Sequence, residues 1–150
     1  MTTAAEPMTR KVFVVLPDTP LSAAWDLMSR EHFRHLPVVS GGTLVGIVSD
    51  RDILARATME GGTISVPDMT AVEAATPWPH VARPNTDVCD LVRLMIERKI
   101  EAVPIVEGEN QLVGLVTSTD LLLLLISLEE AKMPLPFVFD LEQHPAVDVA

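Results

Sequence analysis

Val103-Pro104-Ile105-Val106, a polar turn, and then Leu112-Val113-Gly114-Leu115-Val116-Thr117-Ser118-Thr119-Asp120 decide the reading of this chain, because the passage is written twice. The other copy is Leu36-Pro37-Val38-Val39, a turn, and Leu44-Val45-Gly46-Ile47-Val48-Ser49-Asp50-Arg51-Asp52. In each copy two β-branched runs are joined by a short polar stretch, Ser40-Gly41-Gly42-Thr43 or Glu107-Gly108-Glu109-Asn110-Gln111, and this predicts a hairpin. Each hairpin closes in Gly-x-x-Ser/Thr-x-x-Asp and runs into a helical pattern.

The repetition extends outward from the hairpins. Pro17 and Pro84, Met28 and Met95, and Pro37 and Pro104 are each 67 residues apart. Gly46 and Gly114 are 68 apart, because the second turn holds one more residue. A constant offset broken only in a turn marks an internal repeat. In the first half, residues 12–15 predict a strand, and Pro17-Asp18-Thr19-Pro20 a turn in which Thr19 caps a helix with Pro20 at its first position. Leu21, Ala24, Trp25, Met28 and His32 recur at helical spacing, so residues 21–32 form an amphipathic helix. The hairpin follows, then a helix over residues 50–58, a loop over 59–67 around Gly61-Gly62, and a turn or two of helix within 68–75. Residues 76–82 answer 9–15, and a second long helix spans 88–99. The expected organisation is a flexible arm (1–7), a first repeat (8–58), a linker (59–75), a second repeat (76–131) and a Pro-rich tail (132–150). Each repeat reads strand, helix, strand, strand, helix. One such unit alone would expose an apolar face, so the two should pack together as an α+β fold with pseudo-two-fold symmetry.

Composition narrows the function. The chain has 150 residues, 48% of them hydrophobic, with a mean hydropathy of +0.31, which is ample for a packed core. Its net charge of −10 provides no visible basic face for nucleic acid or anionic lipid. The single cysteine, Cys89, excludes an internal disulfide and points to a reducing cytoplasm. No basic-then-apolar leader is visible in residues 1–6. The apolar run over residues 121–126 is far shorter than the roughly 20 residues of a membrane span.

The repeated motif can hold a nucleotide. Gly46 permits close approach to the backbone. Ser49 falls where strand gives way to helix, so its hydroxyl and the first helical N–H groups face a space that accepts an anion. Asp52, one turn on, can accept two hydrogen bonds from a ribose diol. Gly114, Thr117 and Asp120 repeat the arrangement. Ser/Thr-x-x-Asp is equally a capping box that finishes a helix end, and the two roles are compatible.

The βαββα order, the Leu/Val-Pro-Val/Ile-Val strand and the Gly-h-x-Ser/Thr-x-x-Asp ending together resemble a tandem pair of cystathionine-β-synthase (CBS) domains, the Bateman module. The resemblance covers roughly residues 8–128 and leaves no catalytic domain over. It implies a non-catalytic regulatory module that senses an adenosine-containing ligand (AMP, ADP, ATP or S-adenosylmethionine) in the cleft between repeats. It also implies a disc-like homodimer through helices 21–32 and 88–99. The alternative is a ligand-free dimerisation scaffold that docks an unidentified target protein. The resemblance places the base against the first strand of each repeat and the Thr-rich segment before it, here Thr9, Val12, Val14, Thr76, Val81 and Ala82. Pro37, Ile47, Pro104 and Leu115 match further wall positions. Residues just ahead of the Leu/Val-Pro strand help hold phosphate in such pairs. Arg34 and His35 suit that role, whereas Glu101 and Ala102 do not, so the pocket nearer Arg34 is expected to favour phosphorylated ligands.

No further constellation carries chemistry. His32 and His35 are three apart, but no third ligand accompanies them at a recognisable metal spacing. No nucleophile–base pattern or P-loop is present. Cys89 reads as a core thiol on the apolar side of its helix. The proline-rich Met133-Pro134-Leu135-Pro136-Phe137-Val138-Phe139 is expected to dock on its own core or on a partner subunit.

Overall fold

The computed structural model describes residues 1–132, excluding the side chain of Lys132. The Pro-rich tail, and the docking expected of it, lies outside the described residues.

The elements in order are α1 (Leu21–Glu31), β1 (His35–Ser40), β2 (Thr43–Ser49), α2 (Asp50–Leu54), β3 (Thr58–Glu60), β4 (Thr63–Ser65), α3 (Ala71–Ala74), β5 (Thr76–Pro77), α4 (Val88–Arg98), β6 (Ala102–Glu107), β7 (Gln111–Thr117) and α5 (Ser118–Lys132). Both expected hairpins form, and each carries a bulge at the same place in its repeat, Val38/Val39 and Ile105/Val106. They join edge to edge in the order β1-β2-β7-β6 through one pair, Thr43 with Gln111. The Gly41-Gly42 turn has both residues at positive φ, and Asn110 donates its side-chain amide to the Leu44 carbonyl across the junction at 2.6 Å.

Each repeat has its own apolar centre, and β-strand alternation supplies it. Leu21, Ala24 and Met28 of α1 face Leu36, Val38 and Val48. Leu91 and Met95 of α4 face Val103, Ile105 and Val116. A small cluster of Val39, Leu44 and Val106 ties the two together under the sheet junction. Both long helices end one turn after their last core residue in a left-handed cap, His32 and Lys99, again 67 residues apart. His32 therefore ends the apolar stripe instead of extending it, and it is exposed.

The chain crosses between its halves at both ends. Residues 1–7 are no loose arm: Ala4 is fully buried, and its N–H donates to the Thr86 carbonyl at 2.8 Å. Val88 N–H donates back to the Thr2 carbonyl, and Ala4 and Met8 complete the core of the second repeat. Reciprocally, Ala71 and Ala74 fill the core of the first repeat, and Thr76 pairs with Ile47 of β2. Small residues flanking a repeat lack an amphipathic pattern of their own. Their destination is set by the cavity they fill.

Several local expectations are corrected. Residues 12–15 form no regular strand; only Val15 bridges to Val38, in parallel, as Ala82 does to Ile105. Thr19 does not cap α1: its hydroxyl accepts from Leu16 N–H at 3.0 Å, and Pro20 occupies the N-cap. Asp87 does cap α4, accepting from Cys89 N–H at 2.7 Å. The helix over 50–58 stops at Leu54, and the expected loop after it is the β3–β4 hairpin, turned by Gly61-Gly62 at positive φ. Cys89 is exposed, because Leu91 and Met95 define the buried stripe of α4 and Cys89 lies about 160° of helical rotation from the first and about 120° from the second.

Candidate functional site

The two Ser/Thr-x-x-Asp motifs sit where β2 and β7 hand over to α2 and α5. Each forms a capping box. Asp52 N–H donates to Ser49 Oγ at 3.0 Å, and Ser49 N–H donates to Asp52 Oδ2 at 2.9 Å. Thr117 N–H donates to Asp120 Oδ2 at 2.8 Å, and the Thr117 hydroxyl reaches the same oxygen at 3.0 Å. One carboxylate oxygen of each Asp is thus committed to the helix end. The other is not: Asp52 Oδ1 has no protein partner among the described residues, while Asp120 Oδ1 accepts from the Thr9 hydroxyl at 3.2 Å. Capping and ligand contact are compatible because they use different oxygens.

The expected anion cradle of backbone N–H groups is largely consumed by the fold. Asp50 N–H donates to the Arg34 carbonyl and Ser118 N–H to the Glu101 carbonyl. Arg51 N–H is taken by its neighbour Asp50 Oδ1 at 2.8 Å. The α2 helix is also only five residues long, too short for a useful dipole. At the α2 end any phosphate must rely on basic side chains.

Two cavities flank the centre of the molecule. One, of about 280 Å³, gathers Thr9, Leu115, Thr117 and Asp120 with Lys11, Val12, Phe13 and the segment 32–35. The other, of about 200 Å³, gathers Ile47, Ser49, Asp52 and Thr76 with Arg51 and the segment 99–102. Each motif is therefore paired with the segment that precedes the other repeat's first hairpin strand. Each also takes its Thr from the crossing chain, and this exchange brings Thr9 and Thr76 to the sites expected of them. No hydroxyl bond from Thr76 to Asp52 matches the Thr9–Asp120 contact.

The other expected wall residues divide. Pro37 and Pro104 are fully buried in β1 and β6, and Ala82 belongs to the second core. Val81 is exposed and lines none of the cavities described. Val14 and Gly114 face a third small cavity on the far side of the crossing segment. Gly46 is buried, and the group it admits is the chain's own Thr76 carbonyl. Sequence reasoning missed Phe13, Phe33, Lys11, Arg51 and Lys99. The basic residues among them could have been found, since each lies within a few positions of a motif or its preceding segment.

The assignment of Arg34 and His35 to one pocket and Glu101 to the other is corrected. All three line both cavities, and only Ala102 is confined to one. Arg34 bridges the halves, 3.5 Å from Asp50 and 3.6 Å from Glu101. These pairs are half-exposed and contribute under about 1 kcal/mol each, but they neutralise the charge that was expected to favour phosphate on one side. His35 lies between them. Burial pushes its imidazole below the usual range, opposed by Asp50 and Glu101, assisted by Arg34 and opposed weakly by Asp52.

Among the described residues no cluster of three His, Cys, Asp or Glu is placed to hold a metal. No helix there is long and apolar enough to cross a membrane.

This geometry has known counterparts. The CBS domain family matches residues 5–58 and again 79–127. The CBS domain-containing protein YhcV of Bacillus subtilis is 33% identical over 133 residues, covering 87% of this chain and 91% of YhcV. The crystal structure of CBSX2, an Arabidopsis thaliana CBS-domain protein, in complex with AMP superposes with a TM-score of 0.75 at 27% identity, covering 86% of this chain and 99% of that one. Inosine-5'-monophosphate dehydrogenase of Thermoplasma acidophilum is 32% identical over 113 residues, but the chain spans only 21% of that enzyme's length. The overlap with the enzyme lies in the CBS part of it and transfers no catalytic machinery. With two matched copies related by the 67-residue offset and closed around a shared centre, the chain belongs to the CBS domain family, as a tandem pair.

Proposed function

We propose that the chain is a non-catalytic regulatory module that binds an adenosine-containing ligand (AMP, ADP, ATP or S-adenosylmethionine) at the centre between its repeats. The observation that carries this reading is the pair of matching cavities. Each combines a capped Asp, a Thr from the crossing chain and basic side chains reachable by a phosphate. A ribose diol fits Asp52 Oδ1, which the capping box leaves unpartnered, and can share Asp120 Oδ1 with the Thr9 hydroxyl. The AMP held by CBSX2 supports the same ligand class. A ligand touching both halves stabilises the arrangement that binds it, and so biases what a partner reads. The setting that agrees with the lone Cys89 is a reducing cytoplasm.

Thermal denaturation with each of the four ligands tests the proposal, since a ligand that binds only the folded state raises the melting temperature. A rise with at least one is the expected result. A flat response to all four favours the ligand-free scaffold. That second reading draws on α5, whose Leu122, Leu123, Leu125, Ile126 and Leu128 are exposed. The same exposure supports a homodimer in which α5 is covered by a second copy; of the two helices expected at that contact, α4 exposes Ile96, whereas α1 exposes no large apolar side chain.

A further inference from the structure

The two cavities share Arg34, His35 and Glu101, so charge does not separate them. Their aromatic content does. Phe13 and Phe33 meet with ring centroids 5.0 Å apart at 43°, and both rings line the cavity of Asp120. Each residue remains about two-fifths exposed, 40% for Phe13 and 38% for Phe33. A pair of phenylalanines packed for stability alone would bury its faces in one of the two cores, and neither ring belongs to either. The 67-residue offset carries Phe13 to His80 and Phe33 to Ile100. Ile100 lines the Asp52 cavity, and His80 does not. The two cavities thus differ at these positions, with two aromatic residues in one and Ile100 alone in the other.

An exposed aromatic face beside a ribose-accepting carboxylate is a stacking platform, and stacking strength grows with the ring area overlapped. The rings are too close together to admit a base between them, so it lies against their open face. The geometry points to the Asp120 cavity as the primary nucleoside site, with Phe13 and Phe33 as the residues that select a purine base over a pyrimidine. This rests on the adenosine-ligand reading and deepens it. The cavity of about 280 Å³ lies near the lower end of small-molecule sites, about 300 Å³. That suits one nucleoside.

Titration calorimetry with adenosine and with cytidine tests the assignment on wild type, Phe13→Leu and Phe33→Leu. Wild type is expected to prefer adenosine. Each Leu variant should lose about tenfold in adenosine affinity and much of its preference over cytidine. Proton NMR of the unmodified protein provides a check independent of variant folding: adenosine should shift the ring protons of Phe13 and Phe33 upfield. If adenosine binds but neither ring shifts and both Leu variants bind as wild type does, the aromatic pair is packing only and the inference is overturned. If adenosine, AMP, ADP, ATP and S-adenosylmethionine all fail to bind wild type, the adenosine reading itself falls, and the inference with it.

Discussion

Gly46 and Gly114 mark the places where the two crossing segments run over the hairpins at backbone distance. A Cβ at Gly46 would stand 3.1 Å from the Thr76 carbonyl oxygen and 3.2 Å from Ala75 Cβ. One at Gly114 would stand 3.1 Å from the Thr9 carbonyl oxygen and 2.7 Å from Met8 Sδ. The Met8 thioether can swing aside; the carbonyls cannot. Gly46→Ala and Gly114→Ala should therefore each cost about 1–3 kcal/mol, read as a lower urea midpoint. An unchanged midpoint would contradict the crossing. The sequence allowed a close approach at each glycine, but the partner lies 30 residues away in one case and over 100 in the other, where no local pattern points. His35 supplies a pH dependence. Its folded-state pKa is lowered, so the folded protein holds fewer protons than the unfolded chain between that value and about 6.5. Stability is then full above about pH 7 and declines as pH falls through this window. His35→Gln should flatten that part of the stability profile; an unaltered slope would assign it to other groups.

At the scale of elements, the capping boxes begin α2 and α5 and decide where the two carboxylates stand. Ser49→Ala and Thr117→Ala should each cost about 1 kcal/mol and loosen the Asp that the lost hydroxyl helps hold. The Thr117 variant should be felt more at the ligand, because the Thr117 hydroxyl bonds the Asp120 carboxylate directly at 3.0 Å, whereas Ser49 Oγ meets only the Asp52 N–H. Equal loss of ligand affinity in both variants would argue against this difference. The hairpins and long helices were legible because β-branched runs, turns and apolar spacing are local signals. The β3–β4 hairpin was present in the sequence as Gly61-Gly62 between β-branched residues, but its strands are only three residues each and exposed, so no alternation announced them. Thr19 misled in the other direction. Its side chain satisfies Leu16 N–H, and Leu21 N–H is met instead by the Met69 carbonyl at 2.7 Å, a partner supplied by the segment that links the repeats. For α5, the exposed leucines make a prediction about assembly. Light scattering should give the mass of a dimer, and Leu122→Glu/Leu125→Glu should give a folded monomer. A wild-type monomer would refute the covering copy.

In the whole molecule, function depends on what the two repeats exchange. Each cavity draws its motif from one repeat and its preceding segment from the other, and each Thr arrives on chain that crosses over. The sequence announced the motifs and the repeat, and hence the carboxylates and hydroxyls of the site. It could not show that Arg34, His35 and Glu101 would meet at the shared centre, since pseudo-symmetric packing, and not spacing, brings residues 34 and 101 within 3.6 Å. Nor could it show that Phe13 meets Phe33. The claim on which the rest depends is that the capped carboxylates Asp52 and Asp120 hold an adenosine ligand. Titration calorimetry of the wild-type chain and of Asp52→Ala/Asp120→Ala with AMP tests it most directly. Saturable heat in the wild type that is lost in the folded double variant is the expected result; heat that survives in the double variant, or its absence from the wild type, would contradict it.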